Sequence, residues 1–281
     1  MMEGAPAEFG TAGHWLSRAR AEIEQFRMAL EARGHEIDPG LEVVCDAASL
    51  YPYYDFERCR ISIGLPDLST PSGRYRWLMY LPMLGARTID AAAAAMDRFL
   101  PILATHELAH HLRHRTGRML RDDPWTEEHV VNSIALSYLR TRPDFEAIAE
   151  GIMPILSRAR AGLSRMCELD YADATHEDLG AILYHDMKRI SPDVYQHAWE
   201  KAWERRVPVA QVLEDEHLVT RVELDEAQAR QLHAREKYNA QYMRDFATYA
   251  LLTTTQLQVA LVRPDLPTFD DALALYLGPP A

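Results

Sequence analysis

The tightest constraint on this chain is the pentapeptide His106-Glu107-Leu108-Ala109-His110, set inside the apolar run from Met96 to Leu112. Such a run reads as a buried helix, and histidines at i and i+4 lie on one face of a helix, one turn apart. At that separation both imidazoles reach one metal ion, and the intervening Glu107 stands beside the open coordination position. Because His111 and His114 follow directly, a histidine-studded surface helix is the competing reading of the same five residues.

A catalytic zinc held by two residues of one helix needs a third protein ligand, with water completing the tetrahedron. The next apolar helical segment, Glu127-Glu128-His129-Val130-Val131-Asn132 and onward to Leu139, offers three candidates at its start. Glu128 lies eighteen residues after His110, which leaves room for a turn and an antiparallel return. Glu127, Glu128 and His129 are alternatives. Only Glu128 has Asn132 one turn on, and His129 points about 100° away from it around the helix. Asp123-Pro124 forms an N-cap and first-turn pair for this segment, which gives Glu127 a purely structural reading at the positive end of the helix dipole.

The HExxH motif followed by a Glu-x-x-x-Asn helix resembles the gluzincins, the thermolysin-like and ImmA/IrrE-like zinc metallopeptidases. The likeness covers roughly residues 100–140. It implies that His106, His110 and Glu128 ligate one zinc ion per chain, that Glu107 is the general base, and that Asn132 orients a ligand histidine through its other ring nitrogen. It also implies a small sheet ahead of the metal helix, with an edge strand that aligns an extended peptide by main-chain hydrogen bonds. The reaction implied is peptide-bond hydrolysis by Glu-assisted attack of a zinc-bound water. The second oxyanion donor would come from outside the two motifs, and Tyr184, His185, His176 and His197 are the residues available downstream. Arg74 and Arg76 are candidates for a substrate carboxylate, although strand arginines are usually solvated. His111 and His114 read as outlying or surface residues, since His114 sits too far along the helix to reach the same ion.

The composition is that of a globular protein: 281 residues, 48% apolar and 26% charged. Forty-two acidic residues against 30 basic ones give a net charge of −12, which disfavours nucleic acid and anionic membranes as partners. Three scattered cysteines, Cys45, Cys59 and Cys167, read as free thiols of a reducing compartment. The opening Met-Met-Glu-Gly-Ala-Pro-Ala-Glu has neither a basic nor an apolar segment of an export signal. No window of 18 uninterrupted apolar residues marks a membrane span. The expectation is a cytoplasmic protein acting on a peptide or protein substrate, with no prediction of oligomeric state.

The predicted class is α+β: a small N-terminal sheet with zincin-like active-site helices, followed by a mostly helical C-terminal part. The provisional division is 1–142 and 143–281 within one compact unit. Trp15, Ala19, Ile23, Phe26 and Leu30 predict a helix over 14–33, ended by Gly34. Strands are predicted at 42–46, 60–65 and 74–81. Pro101 is expected to break or kink the metal helix, or to open a new one. Further helices are predicted near 143–165, 175–190, 192–206 and 223–262, with a short one after Pro267.

Two other readings compete. A non-haem di-iron carboxylate protein on a helical bundle would use Glu107–His110 together with Glu214–His217, two Glu-x-x-His pairs. Against it, the acid-rich run from Glu214 to Glu226 reads as a solvated turn. A non-catalytic helical binding protein would use the stripe Tyr238, Tyr242, Phe246, Tyr249, Leu252 and Leu257 as a core face or an interface.

Overall fold

The structure is a computed structural model, and it describes residues 8–46, 52–78, 80–168, 179–180, 182–237, 240–262 and 266–278. Its elements run α1 (Ala12–Glu31), β1 (Glu42–Cys45), β2 (Tyr53–Asp55), β3 (Arg60–Ile63), α2 (Pro71–Leu78), α3 (Tyr80–Leu84), α4 (Ile89–Arg115), α5 (Pro124–Leu139) and α6 (Phe145–Glu168). A π-helical turn at Ile182–Asp186 follows, then α7 (Pro192–Arg205), α8 (Val209–Asp215), α9 (Arg221–Lys237), α10 (Ala240–Val262) and α11 (Phe269–Tyr276). The fold is α+β and mostly helical, with one small mixed sheet near the N-terminus. No described helix is long and apolar enough to cross a membrane.

The chain divides into two compact units, one drawn from Met1–Asp67, Ala95–Leu156 and Thr255–Ala281, the other from Leu68–Ala94 and Ser157–Thr254. In the first unit, α1 buries Trp15, Ala19, Ile23, Phe26 and Leu30, the stripe that its periodicity predicts. Thr11 caps its start by accepting from the His14 N–H, and Gly34, at φ 81°, takes the left-handed turn after its end. Phe26 stacks on Tyr138 with ring centroids 4.3 Å apart and lies 5.8 Å from Phe269, so α1, α5 and α11 meet in one apolar core. Beneath that core, Glu22 is only 3% exposed and pairs with Arg142.

The sheet order is β1-β3-β2. β3 is central, parallel to β1 (Val43 opposite Ile61) and antiparallel to β2 (Tyr54 opposite Ile61). Strands β1 and β3 lie where the alternating pattern predicts them; β2, three residues long, falls below the length at which such a pattern is readable.

In the second unit the predicted strand 74–81 is corrected to the helices α2 and α3. The Thr70 hydroxyl accepts from the Gly73 N–H and Pro71 opens the first turn, so the cap outweighs the strand preference of Tyr75, Trp77 and Tyr80. Tyr75 then packs on Tyr184 and Tyr195, and its hydroxyl donates to the Ile190 carbonyl at 3.0 Å. Gly180 makes that packing possible, because a Cβ there would stand 2.9 Å from both Tyr75 and Tyr195.

Other predicted boundaries also move. Pro101 lies inside α4 and neither ends it nor starts a new helix. The helix predicted over 175–190 falls partly outside the described residues, and its described end is a π-helical turn closed by Lys188 in the left-handed region, φ 54°. The sequence pattern misses α8, which follows Pro208 directly. The helix predicted over 223–262 is described as α9 and α10, on either side of residues 238–239. Replacing Phe26 by Ala, which empties a fully buried aromatic site, is expected to cost about 3–5 kcal/mol in chemical denaturation of the full chain.

Candidate metal centre

In the first unit, polar side chains of α4 and α5 meet between the two helices. Both helices are otherwise apolar at this depth: Leu108, Ala109, Val131, Ile134 and Ala135 are fully buried. Buried polar groups need partners, and most of those here find one on the opposite helix. The His106 Nδ1 lies 2.9 Å from the Asn132 Oδ1, so this nitrogen carries the proton and donates it to the amide oxygen. The His110 Nδ1 faces the Glu127 carboxylate at 3.6 Å. Both imidazoles therefore turn their Nε2 atoms inward, 3.1 Å apart. Glu128 closes the group, with its carboxylate oxygens 3.1 Å from the His106 Nε2 and 3.3 Å from the His110 Nε2.

Two ring lone pairs and a carboxylate converging at this spacing repel one another unless a cation lies among them. Burial pulls the His106 and His110 imidazoles down, but the Glu128 carboxylate on both rings, with Glu127 also on His110, outweighs it and raises both. Burial pushes Glu128 up as well, yet its bonds from the two histidines hold it far below the usual carboxylate range. A divalent metal meets the same need with better geometry, since two nitrogens and one carboxylate oxygen are a zinc-type donor set. Among the described residues, His106, His110 and Glu128 are the one group of this kind, with ligand atoms within 4.8 Å of one another.

Glu127 and Glu128 are neighbours with different roles. Glu127 is 2% exposed and accepts both from the Arg113 Nε at 2.9 Å and from the Leu120 backbone N–H at 3.0 Å. It is thus the brace of His110 rather than a member of the metal-capable group. Its partner Arg113, which the sequence reading does not single out, is 4% exposed and also donates to the carbonyls of Arg118 and Tyr276. The signal that finds it is its place on α4, three residues after His110 and one helical turn along the same face.

Glu107 is 6% exposed. Burial pushes its carboxyl above the usual range, although the two histidines and the backbone N–H of Tyr54 work against that shift. A carboxyl that holds its proton more readily than usual, beside a metal-capable group, suits a proton-transfer role. Tyr54 also had no sequence signal. It lies on β2, an edge strand, and its hydroxyl bridges His114 Nδ1 at 2.8 Å and His111 Nδ1 at 3.3 Å. The Arg121 guanidinium donates to His114 Nε2, so donation runs from Arg121 through His114 and Tyr54 to His111. His111 is 1% exposed, and burial lowers its imidazole to about 4, which keeps it neutral. These two histidines tie β2 to α4.

Of the predicted oxyanion donors, Tyr184 lies in the second unit against Tyr75, and His197 is mostly exposed. His176 and the His185 side chain lie outside the described residues. Arg74 is paired with Asp193 at 2.7 Å. Glu214 is paired with Arg221 at 3.0 Å, and His217 sits in the left-handed region after α8, φ 55°. In the aromatic stripe Leu257 is buried and Leu252 exposed, Tyr238 lies outside the described residues, and so do the side chains of Tyr242, Phe246 and Tyr249.

No family model, curated protein or solved structure matches this chain.

Glu127 gives an acid-side prediction. Burial would raise its carboxyl, but the facing His110 and the bonds from Arg113 and the Leu120 N–H prevail and lower it to about 2. A depressed carboxylate contributes stability that is present above its unfolded value, near 4.5, and is lost as pH falls toward 2. Unfolding midpoints taken between pH 5 and 2 are expected to fall more steeply for the wild type than for Glu127→Gln. The variant itself is expected to lose about 3–5 kcal/mol at neutral pH, because Arg113 is left buried without its counter-charge.

Proposed function

We propose that this chain is a zinc-dependent metallohydrolase. Within that class we read it as a peptidase of the gluzincin kind, acting in the cytoplasm on a peptide or protein substrate and using one zinc ion per chain. The observation that carries the reading is the convergence of the His106 Nε2, the His110 Nε2 and the Glu128 carboxylate, with Glu107 buried on the same turn of α4.

A zinc ion held by these three residues supplies Lewis acidity toward a carbonyl oxygen and makes a water more acidic. The chain supplies the rest. The Glu107 carboxylate takes a proton from the attacking water and passes it to the leaving amide nitrogen. Asn132 fixes the tautomer and ring plane of His106 through the Oδ1–Nδ1 bond, and the Glu127 carboxylate, held by Arg113, faces the His110 Nδ1 at 3.6 Å as its counter-charge. The edge strand β2 is tied to α4 through Tyr54, whose hydroxyl bonds His114 and whose backbone N–H reaches Glu107.

Elemental analysis of the purified full chain tests the metal assignment. The expected result is about one zinc per chain, lost in His106→Ala and in Glu128→Ala and retained in Glu107→Gln. Two irons per chain, or no metal after incubation with zinc, overturns it. On a peptide library, Glu107→Gln is expected to lower turnover by about 100-fold to 10,000-fold with the zinc still bound. Turnover equal to that of the wild type removes Glu107 from the proton-transfer role.

A further inference from the structure

The central strand β3 fixes which way the backbone of β2 points. Along a strand, successive residues turn their N–H and C=O groups to opposite neighbours. The Ile63 carbonyl accepts from the Asp46 N–H at 3.2 Å, so Ile63, and with it Ile61, bonds toward β1. Arg60 and Ser62 therefore turn to β2, where Asp55 and Tyr53 stand opposite them. Tyr54 stands opposite Ile61. It is thus the residue of β2 that turns its main-chain N–H and C=O away from the sheet.

That outward edge meets α4. Glu107, His111 and His114 are spaced i, i+4 and i+7, which makes them one stripe of the helix. Tyr54 reaches all three. Its ring meets those of His111 and His114 edge-on, with centroids 5.5 and 5.7 Å away. Its hydroxyl bonds the Nδ1 of both, and its N–H reaches the Glu107 carboxylate. Tyr54 is buried and so is Glu107, so the contact lies out of bulk water. A buried carboxylate needs a donor, and this one comes from the main chain of the strand.

A general base works only where its oxygen meets the proton it takes, and a misplacement of about 1 Å costs about 100-fold in rate. A glutamate side chain is long and samples many rotamers unless something holds its end. We propose that Tyr54 is the positioning residue for Glu107: its main-chain N–H holds the carboxylate, and its hydroxyl, pinned by His111 and His114, keeps that N–H against the helix. The hold is a property of the fold, and only its effect on turnover rests on the peptidase reading. The same arrangement spends the outward donor of β2 on the protein's own helix. An extended substrate aligned on this strand, as the gluzincin resemblance implies, is aligned without that N–H.

Amide hydrogen exchange of the full chain, followed by NMR with no ligand added, measures the hold directly. Glu107→Leu keeps the bulk and removes the acceptor. It is expected to speed exchange of the Tyr54 amide about tenfold or more, and to leave the Tyr53 and Asp55 amides, which bond β3, at their wild-type rates. Tyr54→Phe and His114→Phe loosen the hydroxyl from the strand side and the helix side, so a folding failure in one leaves the other to answer. Each is expected to speed the amide at position 54 in the same selective way. On the best-cleaved peptide of a library, each is expected to lower kcat about tenfold or more, with KM within about twofold of the wild type and the zinc retained. A Tyr54 amide that exchanges as fast in the wild type as in Glu107→Leu overturns the proposal. So does a freed amide at position 54 with an unchanged kcat, or with a loss carried by KM. Zinc measured on the same samples separates the two readings: a held Tyr54 amide without zinc or turnover sinks the peptidase reading alone, and zinc and turnover without the hold sink this inference alone.

Discussion

The structure depends on the burial of two imidazoles and three carboxylates between α4 and α5. Ionised groups leave water at a cost of several kcal/mol each unless they are paired and hydrogen-bonded. The first unit is organised to meet that demand. Asn132 takes the outward nitrogen of His106, Glu127 faces that of His110, and Arg113 neutralises Glu127. What remains inward is a group that repels itself unless a cation is present. Both protons and a metal ion fit the space, and they compete for the same lone pairs. The aromatic core of Phe26, Tyr138 and Phe269 ties α5 to α1 and α11 beside it.

Much of this region is legible in the chain, because its determinants are local. The i, i+4 histidines, the Asp123-Pro124 cap and the Glu128–Asn132 spacing each need only a few adjacent residues, and the structure places all of them where the spacing requires. The α1 stripe is read the same way. Determinants that lie far apart in sequence are not legible. Tyr54 reaches His111 and His114 across 57 and 60 residues, from a strand too short to show alternation. Arg113 reaches the carbonyl of Tyr276 across 163 residues. At 74–81 the error is of another kind: residues with strand preference are governed by a cap placed before them at Thr70.

The adjacent glutamates show how finely a helix separates roles. One residue step turns a side chain by about 100°. Glu128 thereby faces two imidazoles and is partly open, whereas Glu127 faces a guanidinium and a backbone N–H and is sealed. The sequence alone ranks them through Asn132. The structure separates them by what each carboxylate has already bonded.

The reach of Arg113 has a consequence for how the molecule is made. Its guanidinium braces Glu127, which faces His110, and the same guanidinium is completed by the carbonyl of Tyr276, 163 residues on. During synthesis α4 and α5 emerge from the ribosome long before residue 276 does. Until then the brace is unfinished and water competes for its bonds. Ribosomal timing therefore leaves the brace behind His110 to be completed only when a residue 163 positions after Arg113 has been made.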